Sequence, residues 1–162
     1  MMLRGSILRT IKGITMIEIV IVLTIIGVLS AMALPPYLQW RRSIEARETA
    51  RDFVNILRKA KSEALRTNLE QEVGFNSVLR QYGKRQGNQA YNSTAWSAMT
   101  AADWTNIKPE VTSTPTISIQ FYPNGTSTNS FLASSATLTV QDTAGTRQFV
   151  VSVSNTGTIS SR

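Results

Sequence analysis

The side chains that could do chemistry in this chain of 162 residues are its carboxylates and its basic groups, because it contains neither histidine nor cysteine. That absence removes the commonest general base, the commonest metal ligand and every thiolate. A Ser-His-Asp or Cys-His site is therefore impossible. The late carboxylates Asp103, Glu110 and Asp142 lie scattered among expected loops and turns. The sequence shows no glycine-rich phosphate loop, so we predict no enzymatic activity, no catalytic residue, no cofactor and no metal site.

Glu18 is the carboxylate with the most informative position, because it is the single charge in the apolar run Ile14–Leu34. A lone carboxylate in a membrane-spanning segment costs on the order of 2.5–3.5 kcal/mol on insertion scales, so such residues persist where they have a partner. In the alternative interpretation, this segment is an ordinary membrane anchor. It tolerates the charge of Glu18 because the side chain reaches the membrane interface.

The apolar run is long enough to cross a membrane. Its 21 residues would form a helix of about 31 Å, which matches the hydrocarbon core of a bilayer. Arg4, Arg9 and Lys12 precede it without an acidic residue, so this end should stay cytoplasmic and the rest of the chain should lie outside the inner membrane. A secretory signal peptide is an alternative, since Ser30–Ala33 offers small residues to a signal peptidase. Such signals have shorter, uncharged apolar cores.

Basic residues are concentrated in the first half of the chain. Of the formal net charge of +7, the stretch Arg41–Arg85 contributes 11 basic and 6 acidic residues, whereas Gln86–Arg162 contains 3 of each. The basic excess therefore belongs to residues 1–13 and to the helical segment, and not to the C-terminal part.

A helical pattern resumes after Pro35 and Pro36, where the missing N–H groups and the ring clash predict a kink or a break. Spacings of three and four residues then define one apolar stripe on a helix: Ala46, Ala50, Phe53, Leu57, Ala60 and Ala64. The stripe is narrow and rich in alanine, so another element can pack closely against it. We expect this helix to pack on its own domain.

The last part of the chain has the period-two pattern of β-strands. Apolar residues alternate with polar ones in three segments that turn sequences separate, residues 117–121, 137–141 and 149–153. A further strand is expected around Val73–Tyr82. The stretch Gly83–Pro115 has no clear period and is expected to be a long loop. Consecutive strands joined by short turns predict an antiparallel sheet.

The boundary Lys12–Glu18 resembles the processing site of type IV prepilins and type II secretion pseudopilins. In that family a basic leader ends in glycine, a prepilin peptidase cuts after it, and the fifth mature residue is glutamate. The resemblance implies cleavage between Gly13 and Ile14, N-methylation of Ile14, and pairing of Glu18 with a neighbour's N-terminus. Pro35 matches the family's proline at mature position 22. Ile14 replaces the usual phenylalanine, which bears on methylation more than on cleavage, since glycine matters most for processing.

The C-terminal part resembles the GspH/FimT-type minor subunits of the same family. The segment Ile119–Thr126 contains a phenylalanine-x-proline-x-glycine turn, and Arg147–Gly157 contains a late valine–serine strand that ends in glycine. The resemblance implies a minor subunit. Turn residues placed between the strands of any β domain would give a similar pattern.

Nucleic-acid binding is the second functional hypothesis, because some GspH/FimT-type minor pilins take part in DNA uptake. Arg80, Lys84 and Arg85 lie near Tyr82 and Tyr91. Cations beside aromatic rings can hold phosphates and stack bases, so these three basic residues are candidate DNA contacts. A solvated loop would give the same pattern.

The residues that follow the late glycine, Gly157, give the DNA-binding hypothesis less support. In the DNA-uptake subgroup an arginine commonly follows this glycine directly, with another arginine two positions later. In this chain Gly157 is followed by Thr158, and Ser160 occupies the second place, so that only Arg162 remains as a candidate contact.

We therefore predict an α+β fold, in which a long, kinked N-terminal helix, transmembrane in its first half, packs on a C-terminal antiparallel β-sheet or small β-sandwich. The expected parts are a cleaved leader, a transmembrane and assembly helix, an amphipathic helix that continues it, and a C-terminal β domain: residues 1–13, 14–34, 35–68 and 69–162. The protein is expected to be a single-pass protein of the bacterial inner membrane, with its C-terminal domain periplasmic, that then enters a pilus or pseudopilus.

The expected partners are the prepilin peptidase, other pilins or pseudopilins, the inner-membrane assembly platform and, before assembly, membrane lipid. In one alternative, the protein has the same membrane anchor, but its β domain binds DNA during natural transformation. Another is an anchored periplasmic domain that never assembles. The sequence leaves open whether the machine is a type IV pilus, a type II secretion pseudopilus or a competence filament.

Overall fold

The computed structural model describes residues 13–100, 103–129 and 134–162 of the chain. The expected leader residues Arg4, Arg9 and Lys12 lie outside the described residues. Within these ranges one helix is followed by nine strands, with these bounds: α1 Met16–Thr67, β1 Gln71–Asn76, β2 Gln81–Gln86, β3 Trp104–Asn106, β4 Val111–Thr114, β5 Ile117–Phe121, β6 Ser127–Asn129, β7 Ser135–Asp142, β8 Gln148–Ser154 and β9 Ile159–Ser161.

Helix α1 is delimited by capping residues at both ends. The hydroxyl oxygen of Thr15 accepts a hydrogen bond of 3.3 Å from the N–H of Glu18, which satisfies one of the free donors of the first turn. Asn68 follows the last helical residue with a φ of 55°, the left-handed conformation in which helices commonly end. The long N-terminal helix predicted from the two apolar patterns is confirmed, and both of its ends are capped.

The chain divides into two compact units, Met1–Leu38 and Gln39–Arg162, and α1 contributes residues to both. Pro35 and Pro36 lie inside α1, which is assigned as helical without interruption across them. The helix is therefore not broken there, and a bend at these prolines stays a prediction. The first part of α1 and the folded unit, Gln39–Arg162, are described separately below.

Two antiparallel sheets make up the β part of the second unit. The first has the strand order β3-β2-β1-β5-β6, and the second has the order β4-β7-β8-β9. All strand pairs are antiparallel, as the short connections predict. Where the two sheets meet, the N–H of Ser127 in β6 donates to the carbonyl oxygen of Asn155, just after β8, at 2.9 Å.

The core lies between the second part of α1 and the apolar faces of the strands. Every residue of the predicted helical stripe from Ala46 to Ala64 is buried. The alternating apolar residues of β5, β7 and β8 form the opposite wall, with Ile119, Leu138 and Val151 fully buried. The small alanines let the helix approach the strands closely, and Phe53 fills the centre with its ring centroid 4.7 Å from that of Phe75.

Two sequence-based expectations about strands were wrong. The single strand expected around Val73–Tyr82 is the hairpin β1–β2, because Asn76 accepts backbone hydrogen bonds from Val78 and Leu79 and closes a turn. Arg80 completes this turn with a φ of 55°. The expected long loop Gly83–Pro115 contains the end of β2 and also β3 and β4. These strands are three or four residues long, too short to show a period of two.

Candidate assembly segment

The residues before α1 form an open, exposed start to the helix. Gly13, Ile14 and Thr15 are all exposed, and the side chain of Ile14 is 74% accessible. Glu18 lies in the first turn, where a negative charge is favoured by the helix dipole. The Thr-x-x-Glu spacing of Thr15 and Glu18 is the sequence signature of such a helix start. Our sequence analysis missed the role of Thr15, although this signature was available.

The first part of α1 presents apolar side chains on its whole circumference. Every residue from Met16 to Leu34 is exposed in the described chain, with Met16 86% and Leu29 61% accessible. One window of 18 residues in this helix has a mean hydropathy of 2.6, and none of it is buried. In length and composition the helix is able to cross a membrane. Lipid or other apolar helices must cover such a surface, since it is larger than the apolar patches that soluble proteins expose.

Glu18 is the charged group of this segment, and its carboxylate lacks a partner within the described residues. The hydroxyl of Thr24 donates to the carbonyl oxygen of Val20 at 2.8 Å, so it is satisfied within the helix. Among the described residues, by contrast, no hydrogen bond or ion pair reaches the carboxylate of Glu18. In the folded unit, Glu45 and Glu63 pair with basic side chains. Any partner of Glu18 would therefore come from outside the described part of the chain.

At two positions of this segment, the described structure gives no steric reason why the residue should be glycine. A Cβ atom added at Gly13 or Gly27 would meet nothing within 4 Å, and neither residue has the positive φ that favours glycine. Glycine in a helix interior costs roughly 1 kcal/mol relative to alanine. Recognition from outside, by an enzyme at Gly13 or by a close neighbouring helix at Gly27, would account for both glycines.

The three candidate DNA contacts near β2 are occupied by internal partners. One guanidinium nitrogen of Arg80, Nη2, donates to the carbonyl oxygens of Lys108, Pro109 and Val111 at 2.7, 2.7 and 2.6 Å. The geometry gives Arg80 a structural task, which is to tie the β1–β2 turn to the segment before β4.

Lys84 and Arg85 are engaged in a similar way. Lys84 forms an ion pair with Glu63 of α1. Arg85 donates to the buried carboxylate of Glu72 at 2.8 Å, and its Cζ atom lies 4.9 Å from the ring centroid of Trp96. The structure therefore does not bring these residues together with Arg80 as a free phosphate-binding patch. Because each cation has an intramolecular partner, nucleic acid would have to break existing interactions to bind here.

Arg162, the fourth candidate, lies elsewhere, at a groove between α1 and the end of the second sheet. It is exposed, and its backbone pairs with that of Val150 on β8. The other basic residues at this groove are Arg47, Arg51 and Arg58, which do not belong to the apolar stripe of α1. Helical periodicity put these three on one side of α1, but only the fold shows that Arg162 joins them.

The buried carboxylates serve the fold and do not form a reactive site. Glu70 accepts hydrogen bonds from the backbone N–H groups of Asn92 and Ser93 at 2.9 and 2.8 Å. Burial raises the pKa of Asp142, but hydrogen bonds from the hydroxyl and N–H of Thr146 and the N–H of Arg147 outweigh it and hold that pKa below its ordinary value. Within the described ranges, no group of three acidic side chains is placed to hold a metal ion.

The sequence match to a known family covers most of the folded unit. The profile of the family described as type II transport protein GspH matches residues 49–157. This range begins in the buried half of α1 and ends at the late glycine after β8. The chain belongs to the GspH family. The resemblance to GspH/FimT-type minor subunits and the predicted α+β fold are both confirmed.

Solved structures of two proteins share this fold. The minor pseudopilin EpsH from the type 2 secretion system of Vibrio cholerae is 17% identical, with a TM-score of 0.55 over 73% of this chain and 96% of that one. The type IV minor pilin FimU of Pseudomonas aeruginosa is 16% identical, with a TM-score of 0.52 over 72% of this chain and 91% of that one. At these identities the similarity shows the fold alone. No match was found among curated proteins.

Proposed function

We propose that this GspH-family chain is a minor pilin or pseudopilin, a structural subunit that joins a type II secretion pseudopilus or a type IV pilus through its N-terminal helix. One observation carries the proposal. The exposed apolar part of α1 contains a single carboxylate, Glu18, without a partner among the described residues, and this helix leads into a domain of the GspH family. A lipid bilayer can cover the apolar surface, but its hydrocarbon core supplies no partner for the charge.

In this proposal, a prepilin peptidase removes the leader by cutting between Gly13 and Ile14. The exposure of Gly13 to Thr15 supports the proposal, because a peptidase needs an accessible extended segment. The new amine at Ile14, which would then be N-methylated, lies four residues before Glu18. The chain stays in the inner membrane with its N-terminus cytoplasmic and its folded domain periplasmic, as the basic leader predicts.

Assembly then transfers the apolar helix from lipid into a bundle of like helices. Burial against other apolar helices keeps its surface out of water, and small residues such as Gly27 allow close approach. Glu18 pairs with the N-terminal amine of a neighbouring subunit. This ion pair fixes the register, because a shift along the bundle would leave a charge unpaired in an apolar environment. Other pilins or pseudopilins and an inner-membrane assembly platform are the partners that such a mechanism requires.

The proposal is tested first by the intact mass and N-terminal sequence of the protein from its native membrane. A chain that begins at Ile14, with or without one added methyl group, is the expected result. A chain that begins at Met1, or one cut after Ala31 or Ala33, would contradict the proposal, because the helix would then be an ordinary anchor or a secretion signal.

The second test is Glu18→Ala, measured as membrane insertion and as incorporation into sheared filaments. Membrane insertion should persist, since an apolar residue replaces a charge, while incorporation into filaments should be lost. Thr24→Ala is the matched control, because Thr24 is a polar residue of the same segment that is satisfied within its own helix. If Glu18→Ala joins filaments as well as Thr24→Ala does, the proposed role of Glu18 is wrong.

The DNA-uptake alternative receives less support from the structure. Arg80, Lys84 and Arg85 have internal partners, and Arg162 is the candidate that stays exposed. DNA binding at Arg162 is therefore treated as an outcome of the experiment on the groove that this residue lines.

A further inference from the structure

A half-open groove of about 400 Å³ lies inside the folded unit, between α1 and the last two strands. Three arginines of α1 line one wall: Arg47, Arg51 and Arg58. The other wall contains the half-buried ring of Phe149 from β8, together with Ser161 and Arg162. The four arginines are exposed, and the ring of Phe149 gives the groove an apolar surface beside them.

The positive charge of this groove is offset only in part by the described residues, through the attraction between Glu48 and Arg51. No ion pair within the described residues involves any of the four arginines. Among the residues that the structure describes, no acidic side chain lines the groove. The nearby acids Glu48 and Glu45 of α1 pair with Lys108 and Arg41. Like charges four residues apart destabilise a helix, as Arg47 and Arg51 do here, so a partner of opposite charge would relieve a cost that is present in the free subunit.

The second feature of the groove is an open strand edge. Strand β9 is the last strand of the four-stranded sheet and pairs with β8 alone. Reciprocal hydrogen bonds of 3.0 Å join Val150 to Arg162, so the backbone groups of Ile159 and Ser161 face away from β8. An exposed strand edge with free N–H and C=O groups is a template for a further strand.

We propose that this groove binds an extended, carboxylate-bearing segment of a different protein chain, which adds to the free edge of β9 and places its carboxylates against the four arginines. The inference rests on the proposed function in one respect: the different chain would be a non-identical subunit of the same filament. Arginine is suited to this contact, because its planar guanidinium can hold a carboxylate by two parallel hydrogen bonds.

A second copy of this chain does not fit as the occupant. In the folded unit, all acidic residues except Asp52 already have partners: Glu45, Glu48, Glu63, Glu72 and Glu110 in ion pairs, and Glu70, Asp103 and Asp142 in hydrogen bonds. A copy of this unit would therefore offer one free carboxylate to four arginines. Charge complementarity requires a partner of different sequence.

The free strand edge also favours a peptide over a nucleic acid. Phosphates could meet the arginines, but a nucleic acid has no backbone that extends a β-sheet. Arg47 and Arg58 are eleven residues apart, which is about 16 Å along a helix. Five residues of an extended strand cover roughly the same distance, at about 3.3 Å each. A hexapeptide is therefore long enough to contact the whole row.

The test is a titration of the full chain, purified in an uncharged detergent, with hexaglutamate at low salt. Binding is measured by calorimetry and compared with hexalysine and with the single strand (dT)12. Hexaglutamate should bind, hexalysine should not, and (dT)12 should bind more weakly than hexaglutamate. High salt should weaken the binding, because exposed charges are screened. Absence of hexaglutamate binding, or tighter binding of (dT)12 at the same groove, would overturn the proposal.

Two double variants identify the surface that binds hexaglutamate. Arg51→Glu with Arg58→Glu should weaken hexaglutamate binding at least tenfold. Lys59→Glu with Arg66→Glu is the matched control, since these exposed cations of the same helix do not line the groove. The control should bind within about twofold of the parent, and equal losses in both double variants would indicate a diffuse charge effect and overturn the proposal.

Ser161→Pro tests the strand addition separately. It removes an N–H that faces away from β8, so the β8–β9 pairing should survive while hexaglutamate binding weakens. Circular dichroism checks that each variant is folded. Undiminished binding by Ser161→Pro would overturn the strand addition. These experiments use unassembled protein, so the groove proposal can fail while Glu18→Ala still blocks filament incorporation, and the converse can also occur.

Discussion

The carbonyl oxygen of Gly125 lies 2.0 Å from the place that a Cβ atom on Gly157 would occupy. The turn after β8 is thus packed directly on the backbone of the turn after β5. The φ of Gly157 is 71°, and its own carbonyl oxygen accepts a hydrogen bond of 2.9 Å from Nζ of Lys61 on α1. One glycine therefore joins the two sheets and the helix. This contact gives a physical reason for the late glycine in the pattern that identified the C-terminal part.

Gly157→Ala should destabilise the folded unit by about 2–4 kcal/mol. Part of this loss is the cost of a left-handed conformation for a residue with a Cβ atom, roughly 1–2 kcal/mol, and the remainder is the clash with backbone that cannot move away cheaply. The measurement is urea unfolding of the full chain in detergent, followed by circular dichroism and tryptophan fluorescence.

Gly145→Ala is the control for this prediction. Gly145 has a similar φ of 68°, but a Cβ atom there would meet nothing within 4 Å. It should therefore lose only the conformational part, about 1–2 kcal/mol. If the two alanine variants unfold at the same urea concentration, the contact between Gly157 and Gly125 contributes nothing to stability.

Arg80→Lys should destabilise the folded unit although it keeps the positive charge. A single nitrogen of Arg80 serves three backbone carbonyls, and a lysine ammonium has a different reach and geometry. Hydrogen bonds to charged groups contribute about 1.5–3 kcal/mol, so a loss of this order is expected in urea unfolding. Arg66→Lys, an exposed residue in the last turn of α1, should change stability by less than about 0.5 kcal/mol. Equal stabilities of the two variants would mean that Arg80 is not a structural residue.

The parts of the fold that sequence reasoning found are those with a long, regular pattern. The helical stripe containing Phe53 and the alternation around Ile119 have enough repeats to define a period, and both were confirmed. The strands β3, β6 and β9 have three residues each, and they form because longer neighbours offer them free edges. Such strands depend on tertiary contacts, which local sequence does not contain.

The candidate site residues divide in the same way. Gly13 and Glu18 were named because the processing pattern is linear in sequence, and their roles stay predictions. Arg80 was a candidate DNA contact from its charge alone, and sequence does not show the three carbonyls to which it donates in the fold. The groove of Arg51 and Arg162 was missed because these two residues are more than 100 residues apart in sequence, so only the fold brings them together.

Gln71→Met should stabilise the folded unit. Gln71 is fully buried on the same face of β1 as Val73, and neither polar atom of its side chain has a hydrogen-bond partner among the described residues. An unpaired buried amide costs about 1–3 kcal/mol, and methionine has a similar shape without that cost. A gain of about 1–2 kcal/mol is expected in the same unfolding assay. Gln81→Met is the control, because the Gln81 amide donates to Asn106 at 2.9 Å, so its replacement should bring no gain.

Asp142→Asn should remove a stabilising contribution that depends on pH. The carboxylate is buried and accepts hydrogen bonds from Thr146 in the β7–β8 turn, which hold its pKa below the ordinary value. A group whose pKa is lower in the folded state stabilises that state above its unfolded pKa, about 3.9 for aspartate, and loses this contribution as pH falls through the folded pKa. The variant should therefore be less stable than the parent by about 1–3 kcal/mol at pH 7, and the difference should shrink below about pH 4.

The measurement is the urea midpoint of parent and variant from pH 3 to pH 8. Asp52→Asn serves as the control for the loss of one carboxylate, since the side chain of Asp52 is exposed and its removal should change stability little. A difference between parent and Asp142→Asn that stays constant down to pH 3 would show that the ionised carboxylate is not what stabilises the turn. A difference that grows on acidification would reverse the sign of the argument, since it would require a folded-state pKa above the unfolded one.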